Sequence, residues 1–251
     1  MSTQQPKSYN ILLIGDACED TYTYGHVNRI SPEAPVPVFE PRYTIHQDGM
    51  AGNVCKNLEA LGCNVNYLHG KTSKKNRLID ERSKQQLLRL DNDYISDPIR
   101  FDSDIPDIYD AVVVSDYNKG TVDYELIETL RDEFAGLIFV DTKKTDLSRL
   151  NGCYIKINAL EKSRAISLPD ADKLIVTHGG DGAEWNGWVY AAETAGDVTD
   201  VCGAGDTFLA ALVYKFLETN HMPDAIKFAN RAAAVTVQHV GVYAPRLEEI
   251  K

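Results

Sequence analysis

A short segment near residue 200 carries the residue types best suited to chemistry. It reads DVCGAGDTFLAALVYKFL over 200–217, with glycines at 203 and 205 and a carboxylate at Asp206. Glycine lets the backbone approach a ligand closely, and a helix that begins here would direct unpaired amides and its positive dipole end at an anion. A carboxylate would repel that anion unless it accepts a proton from an attacking hydroxyl. The alternative is a glycine turn in which Asp206 is only a favourable first-turn charge.

Other polar or glycine-rich groups lie at the ends of predicted strands. Asp16 follows the run ILLIG, and a carboxylate at the end of a parallel strand can accept bonds from two hydroxyls. The pair Asn158 and Glu161 also fits an ordinary polar turn after a strand. The segment 177–182, THGGDG, is by itself a weak indication of a phosphate-binding loop. The residue types alone therefore do not decide whether these groups bind a ligand or only form turns.

Apolar runs alternate with helical patterns and predict the elements that hold these groups. The expected strands are 9–15, 64–69, 111–115, 137–141 and 173–177. The expected helices are 49–62, 122–134, 204–219 and 222–240. Asn-Gly at 186–187 predicts a hairpin over 183–191, and three prolines within 34–45 predict an edge strand or lid. This alternation indicates a mostly parallel sheet in a single α/β domain over 1–251.

Composition excludes several classes of function. The chain has 251 residues with 26 Lys and Arg against 37 Asp and Glu, a net charge of −11. It would repel nucleic acid and anionic membranes, so we expect neither as a partner. Its 5 cysteines show no zinc-site spacing, and no hydrolase G-x-S-x-G occurs. Because it also has no apolar run long enough for a signal peptide or membrane span, we expect a cytoplasmic protein.

The segment DVCGAGDTF closely resembles the D-T-x-G-A-G-D-x-F motif of the ribokinase (PfkB) family of sugar and nucleoside kinases. GDACEDTYTYG from residue 15, RISPEAPVPV from residue 29 and SDY at 115–117 are similar to the heptose 7-phosphate kinase branch. That branch forms the kinase half of bifunctional ADP-heptose synthases. The resemblance runs along almost the whole chain. It implies a ribokinase-like three-layer α/β/α sandwich, with a small β lid contributed by about 17–47 and 77–91.

The resemblance also implies roles for individual residues. Asp206 would be the general base, and the amides of Gly203, Ala204 and Gly205 would neutralise charge on the transferring phosphoryl group. The ATP-binding positions would be Asn158, Glu161, Thr177, Gly179, Gly180, Gly182 and Asn230. Glu161 would also help to place a magnesium ion through ordered water. ATP and Mg²⁺ are therefore the expected cofactors, and a monovalent cation remains an open possibility.

On the acceptor side, Asp16 and Asp20 match acidic residues that hold sugar hydroxyls. Gly49 and Asn53 correspond to the family's G-G-x-x-N element, whose asparagine would bond the sugar, although a capped turn at a helix start is the alternative. A phosphorylated acceptor needs cations, and solvated surface is the usual alternative for a basic residue. The candidates are Arg77, Arg89, Lys143 and Lys156. The lid would close over the acceptor and, as in other members, pair between subunits of a homodimer.

The chain departs from the family at several places. Met50 stands where the branch has a second glycine, and Cys202 stands where threonine is usual. A helix and a strand are expected to be missing between Gly62 and Arg77, and a helix between Glu161 and Lys173. No nucleotidyltransferase half follows the kinase motifs, so we expect ADP-sugar formation to require another protein.

These features predict an ATP- and magnesium-dependent kinase with two small-molecule substrates. The leading acceptor is D-glycero-D-manno-heptose 7-phosphate, phosphorylated at its anomeric hydroxyl. One alternative is a kinase of the same family that acts on another sugar, sugar phosphate or nucleoside. A second alternative is a non-catalytic sugar- or nucleotide-binding module, which the missing segments would favour.

Overall fold

The computed structural model describes residues 7–101, 105, 107–193 and 196–250. The domain predicted over 1–251 therefore includes residues at both ends that lie outside this description. Within it, the strands are β1 (Asn10–Ile30), β2 (Pro37–Met50), β3 (Asn64–Asp80), β4 (Gln86–Asn92), β5 (Ala111–Asp116), β6 (Leu137–Thr142), β7 (Tyr154–Asn158), β8 (Leu174–Thr177), β9 (Ala183–Trp185) and β10 (Trp188–Tyr190). The α-helices are α1 (Ala51–Ala60), α2 (Tyr124–Glu133), α3 (Ala159–Arg164), α4 (Ala204–Thr219) and α5 (Met222–Thr236).

The strands form one mixed sheet with the order β10-β9-β8-β7-β6-β5-β1-β3-β4, and β2 pairs with β1 outside this path. The six neighbouring strands from β8 to β3 are parallel, as the sequence predicts. Because parallel strands end at the same edge, this arrangement brings together the polar residues that terminate them. The ends of β5, β6 and β7 lie side by side at that edge.

Two apolar clusters cover the two faces of the sheet and confirm the three-layer α/β/α architecture. Side chains alternate between the faces along each strand, so Leu13 packs under α1, α4 and α5, whereas Ile14 packs on the other side with α2. Helix α4 is buried over most of its surface, as its apolar sequence predicts. None of the helices in the described part of the chain has the length and apolarity that a bilayer crossing requires.

The predicted β lid is an extension of the core sheet. Strand β1 is 21 residues long and β3 is 17, and the two stay paired in parallel from the core into the lid, with one irregularity near Gly15. β2 and β4 flank them as antiparallel partners. Residues 64–80 form one strand with no intervening helix, and α3 has 6 residues. The expected shortening at both places is confirmed.

The other predicted elements agree with the structure except at the last helix, and two short elements, α3 and β7, were not predicted. The hairpin forms with Asn186 and Gly187 at φ 49° and 78°, the left-handed values that its two-residue turn requires. The last helix ends at Thr236 rather than 240, where Asp200 accepts from the N–H of Gly241 at 2.9 Å and holds a turn. Strand β7 is missing from the predicted list because Lys156 interrupts its short apolar run.

Candidate active site

Helix α4 begins within the glycine-rich motif, at Ala204, beside the same sheet edge. Gly203 has φ 77°, and a Cβ there would lie 2.7 Å from Nδ2 of Asn53, so only glycine fits. The N–H of Thr207 donates to the carbonyl of Gly203 at 2.9 Å. Across the described ranges, the N–H groups of Gly203 and Gly205 donate to no protein acceptor. Two unpaired amides at a helix start provide a binding position for an anion.

The carboxylate of Asp206 lies in the first turn of α4 and is 6% exposed. Its Oδ2 accepts from Nδ2 of Asn53 at 2.9 Å. Its Oδ1 accepts from the hydroxyl of Tyr117 at 2.8 Å. Two donors from distant parts of the chain therefore hold this carboxylate. A first-turn carboxylate that only interacts favourably with the helix dipole would need neither of these hydrogen bonds.

The pKa of Asp206 is raised to about 6, chiefly because burial disfavours the charged carboxylate. The hydrogen bonds from Asn53 and Tyr117 oppose this rise, the carboxylate of Asp141 adds to it, and the ammonium of Lys156 lowers the pKa. At neutral pH the group is still mostly ionised but binds a proton more readily than an ordinary aspartate. These are the properties of a general base.

Lys156 lies beside this carboxylate, and its side chain is almost completely buried. Its ammonium donates to Oδ2 of Asp141 at 2.7 Å, across the register pair that joins β6 and β7. A Cβ at Gly205 would lie 3.1 Å from this ammonium. Burial opposes the charge, but the carboxylates of Asp141, Asp206 and Glu161 outweigh it and raise the pKa of Lys156. A permanent positive charge therefore stands next to the free amides.

Two adjoining cavities open beside the start of α4 and share Gly205. The smaller, of about 140 Å³, contains Asp206, Gly203, Lys143, Asn158 and Glu161 in its wall. The larger, of about 470 Å³, is the more apolar in its lining. Its wall contains the predicted ATP positions Thr177, Gly179, Gly180, Gly182 and Asn230, together with Ala204. The structure thus places the predicted catalytic and ATP-binding residues in the walls of two adjoining cavities, whereas the predicted acceptor residues Asp16, Asp20, Gly49, Asn53 and Arg89 line neither cavity.

Asn158 and Glu161 form a reciprocal cap at the start of α3. The N–H of Glu161 donates to Oδ1 of Asn158, and the N–H of Asn158 donates to Oε2 of Glu161, both at 2.8 Å. The other oxygen of Glu161 accepts from the ammonium of Lys143 at 2.8 Å. The Asn-x-x-Glu spacing therefore has a structural explanation in the capping box, and both side chains still face the smaller cavity.

The residues present fit a magnesium ion only as a companion of bound phosphates. Over the ranges that the structure describes, no three His, Cys, Asp or Glu side chains converge into a metal cage. Mg²⁺ commonly keeps several waters and takes one or two carboxylates together with substrate phosphates. Glu161, partly exposed at the smaller cavity, is compatible with that mode of binding.

The loop after β8 presents its backbone to the larger cavity. A Cβ at Gly179 or Gly180 would meet no atom within 4 Å, so the main chain there is open. At Gly182, by contrast, a Cβ would lie 2.1 Å from the carbonyl oxygen of Tyr190, so this glycine is required by the hairpin. Nδ2 of Asn230 donates to the carbonyls of Tyr190 and Ala191, at 2.9 and 3.3 Å. Its amide therefore secures the cavity wall.

Asp16 is engaged entirely within the protein. Its carboxylate is 1% exposed and accepts from the backbone N–H groups of Tyr117, Lys119 and Thr121. It therefore fixes the loop that follows β5. The role that the resemblance implies, direct contact with a sugar hydroxyl, has no counterpart in these contacts.

Asp20 and Gly49 meet at the base of the lid. Asp20 is hydrogen-bonded to the guanidinium of Arg77, which also lies over the ring of Tyr22 at 4.9 Å. A Cβ at Gly49 would lie 2.2 Å from Oδ2 of Asp20, so the glycine makes room for this carboxylate. Met50 follows with φ 54° and ψ −134°, a conformation that favours the glycine of the family motif.

The structure does not gather the four candidate cations into one site. Arg77 and Arg89 face each other in the register of β3 and β4 in the lid, and Arg89 pairs with Asp91. Lys143 and Lys156 lie in the wall of the smaller cavity. Three residues without a predicted site role, Asp116, Tyr117 and Asp141, also stand in that wall. Their position at the ends of parallel strands is the signal that could have identified them.

Comparison with known proteins shows what this chain is similar to. The family description "pfkB family carbohydrate kinase" matches residues 156–250. The chain is 32% identical to the bifunctional protein HldE of Helicobacter acinonychis (strain Sheeba), over 96% of this chain and 65% of that protein. It is also 32% identical to the bifunctional protein HldE of a Nitratiruptor species, over 96% of this chain and 64% of that protein.

Solved structures show the same fold. Arabidopsis thaliana ribokinase complexed with ribose and ATP superposes with a TM-score of 0.68 at 14% identity, covering 97% of this chain and 98% of that one. Phosphofructokinase-2 from Escherichia coli in complex with potassium superposes with a TM-score of 0.69 at 14% identity, covering 97% of each chain. The chain therefore has the ribokinase-like fold.

Residues 156–250 belong to the pfkB family of carbohydrate kinases, and the similarity to the Helicobacter HldE protein extends over 96% of the chain. The chain spans about two thirds of the length of its HldE relatives, 65% and 64% for the two described above. The alignment with the Helicobacter protein extends over 304 positions, although this chain has 251 residues. At more than fifty positions of the alignment the relative therefore has a residue where this chain has a gap, in agreement with a shortened kinase domain.

Proposed function

We propose that this chain transfers the terminal phosphoryl group of ATP to a hydroxyl of a sugar phosphate, with Asp206 as the general base. The observation that carries this proposal is the start of α4. There a buried carboxylate with a pKa of about 6 lies beside two free backbone amides and the ammonium of Lys156. Phosphoryl transfer needs an acceptor for the hydroxyl proton and positive groups that stabilise the charge on the phosphoryl group. Asp206 would supply the first, and the free amides with Lys156 would supply the second.

In the proposed reaction, Asp206 accepts the proton of the acceptor hydroxyl. The hydroxyl oxygen bonds to the γ-phosphorus while the bond from that phosphorus to the bridging oxygen breaks, and ADP leaves with the electron pair. The amides of Gly203 and Gly205 and the ammonium of Lys156 offset the negative charge on the moving phosphoryl group. The proton passes from Asp206 to solvent after the product leaves.

The larger cavity is the proposed nucleotide site. The predicted positions 177, 179, 180, 182 and 230 lie in its wall, and apolar side chains such as Phe208 and Val237 supply a surface for the base. Because this cavity meets the smaller one at Gly205, a triphosphate would run from one into the other. A magnesium ion bound to the phosphates near Glu161 would supply further charge neutralisation.

For the acceptor we propose D-glycero-D-manno-heptose 7-phosphate, phosphorylated at its anomeric hydroxyl to the 1,7-bisphosphate. The support is the sequence resemblance to the heptose 7-phosphate kinase branch and the identity of about 32% to HldE proteins. Arg77 and Arg89 in the lid are the proposed contacts for the acceptor phosphate, because Lys143 and Lys156 lie in the smaller cavity. Conversion of this product into ADP-heptose would require hydrolysis of its 7-phosphate and then a separate nucleotidyl transfer to the anomeric phosphate.

We further propose a homodimer formed by the β lid and action in the cytoplasm. Both outer lid strands, β2 and β4, are largely exposed and carry apolar side chains such as Ile45, Leu88 and Leu90. Such edges are commonly covered by another chain. The five cysteines are free, which fits a reducing compartment that also supplies ATP. Sedimentation of the full chain tests the dimer, and a monomer at all concentrations would contradict it.

The test of function is a coupled assay of ADP release with ATP, Mg²⁺ and a panel of acceptors, with and without K⁺. The panel contains heptose 7-phosphate, fructose 6-phosphate, ribose and adenosine. We expect turnover of heptose 7-phosphate, and a loss of at least about a hundredfold in Asp206→Asn. Asp132→Asn, an exposed charge on α2, is the matched control and should retain full activity.

Other outcomes separate the alternatives. Turnover of ribose or adenosine without turnover of heptose 7-phosphate would show that the chain is a kinase for a different acceptor. If the wild-type protein transfers no phosphate to any acceptor but binds a sugar or ATP in calorimetry, the chain is a binding module and the proposal is wrong.

A further inference from the structure

Tyr117, the first residue after β5, connects three parts of the candidate active site. Its hydroxyl donates to Oδ1 of Asp206 and its backbone N–H donates to Oδ2 of Asp16, both at 2.8 Å. The ammonium of Lys143 lies 4.9 Å from the centre of its ring. The residue is therefore held at its backbone, its ring and its hydroxyl. Tyr117 lies in the SDY segment that carries part of the family resemblance, but the sequence analysis gives this residue no role.

The hydrogen bond has a definite direction. Burial and the adjacent charge of Asp206 raise the pKa of Tyr117 well above its usual value, so the phenol keeps its proton. It can only donate to the ionised carboxylate, while Asn53 donates to the other oxygen of Asp206 at 2.9 Å. Each carboxylate oxygen then has one protein donor and keeps a further lone pair for a substrate hydroxyl.

We propose that Tyr117 is a positioning residue for the general base, whose hydroxyl fixes the orientation of the Asp206 carboxylate and stabilises its ionised form. This inference rests on the proposed function, because it assigns Tyr117 a part in proton transfer through Asp206. Asp16 acts one step further away, since it fixes the backbone from which Tyr117 extends.

Tyr117 shares the direct contact with Asp206 with one other donor, Asn53. Asn53 reaches it from α1, and Asp141 and Lys156 face it from β6 and β7. Lys156 is paired at 2.7 Å with Asp141, so the two charges largely offset each other. Removal of the Tyr117 hydroxyl takes away one of the two direct donors and leaves the number of charges unchanged. Tyr117→Phe is therefore an informative substitution.

The experiment measures Asp206 directly. The side-chain carboxyl of Asp206 is titrated by carbon-13 NMR in the full-length wild-type protein and in Tyr117→Phe, with both folds checked by circular dichroism. We expect the pKa of Asp206 to rise by about one unit in the variant, since a donor to the charged form is lost. The acidic limb of the pH profile of kcat/KM should move upward by the same amount. Tyr243→Phe is the control, because that hydroxyl also donates to a carboxylate, Glu249, but lines neither cavity.

An unmoved titration of Asp206, or a uniform loss of kcat with an unmoved acidic limb, overturns the inference. If Tyr117→Phe does not fold, replacement of Tyr117 by 3-fluorotyrosine strengthens the donor and should lower the pKa of Asp206; no change would contradict the inference. The titration needs no turnover. A wild-type protein without kinase activity therefore rejects the proposed function, whereas an active wild-type protein with an unmoved pKa rejects only the role of Tyr117.

Discussion

Lys156 and Asp141 form a largely buried ion pair of 2.7 Å on neighbouring parallel strands, beside the start of α4. The pair places a positive charge against Gly205, where the backbone amides are free. A buried pair of this kind is seldom retained for stability alone, because desolvation offsets its attraction. The position next to a candidate phosphate site supplies a functional reason for its presence.

Lys156→Met should reduce both stability and turnover. The lone Asp141 carboxylate would remain buried, at a cost of about 3–5 kcal/mol, measurable by urea unfolding. The double variant Lys156→Met with Asp141→Leu should recover most of this stability, because no unpaired charge remains. Its kcat should nevertheless stay at least about a hundredfold below wild type. Recovery of activity along with stability would show that Lys156 has only a structural role.

Asp206 should reduce the stability of the protein at neutral pH. Its folded pKa of about 6 is raised above the value of 3.8 for an ordinary aspartate, so the folded state binds the proton more tightly. Stability is therefore lost as pH rises through this interval, by about 2–3 kcal/mol in total. Asp206→Asn should be the more stable protein at pH 7.5, and the difference should shrink by pH 4. Equal unfolding midpoints at both pH values would contradict this account of its burial.

Met50 offers a test of backbone strain before α1. Its φ of 54° and ψ of −134° are unfavourable for a residue with a Cβ. Met50→Gly should therefore be more stable than Met50→Ala by about 1 kcal/mol, although both lose the same buried side chain. The reference pair is Lys227→Gly and Lys227→Ala on the exposed side of α5, where alanine should be the more stable. Alanine favoured at both positions would mean that position 50 is unstrained.

The two possible roles of Asp16 predict different results. Asp16→Ala would leave three backbone N–H groups without their acceptor, so we expect a loss of about 3 kcal/mol or more in the free energy of unfolding. Asp20→Ala removes one ion-pair partner at the lid and serves as the comparison. If Asp16→Ala instead keeps wild-type stability and only raises the KM of the acceptor, Asp16 contacts the sugar as the family resemblance implies.

Local signals in the sequence account for the elements that were predicted well. The glycine motif and the apolar pattern place α4 at Ala204–Thr219, and the Asn-Gly turn places the hairpin. The full length of β1 and β3 is not predictable in this way, because their lid halves are polar and gain their partners from distant segments. The hydrogen bond between Tyr117 and Asp206 joins residues 89 positions apart and requires the folded sheet edge. The same is true of the contact between Lys156 and Gly205.

The most direct test of the central claim is a crystal structure with a non-hydrolysable ATP analogue, Mg²⁺ and heptose 7-phosphate bound. We expect the acceptor hydroxyl within about 3.2 Å of an Asp206 carboxylate oxygen. We also expect oxygens of the terminal phosphate within about 3.1 Å of the Gly203 and Gly205 nitrogens. A triphosphate that lies away from the start of α4, or an acceptor that does not reach Asp206, would contradict the account.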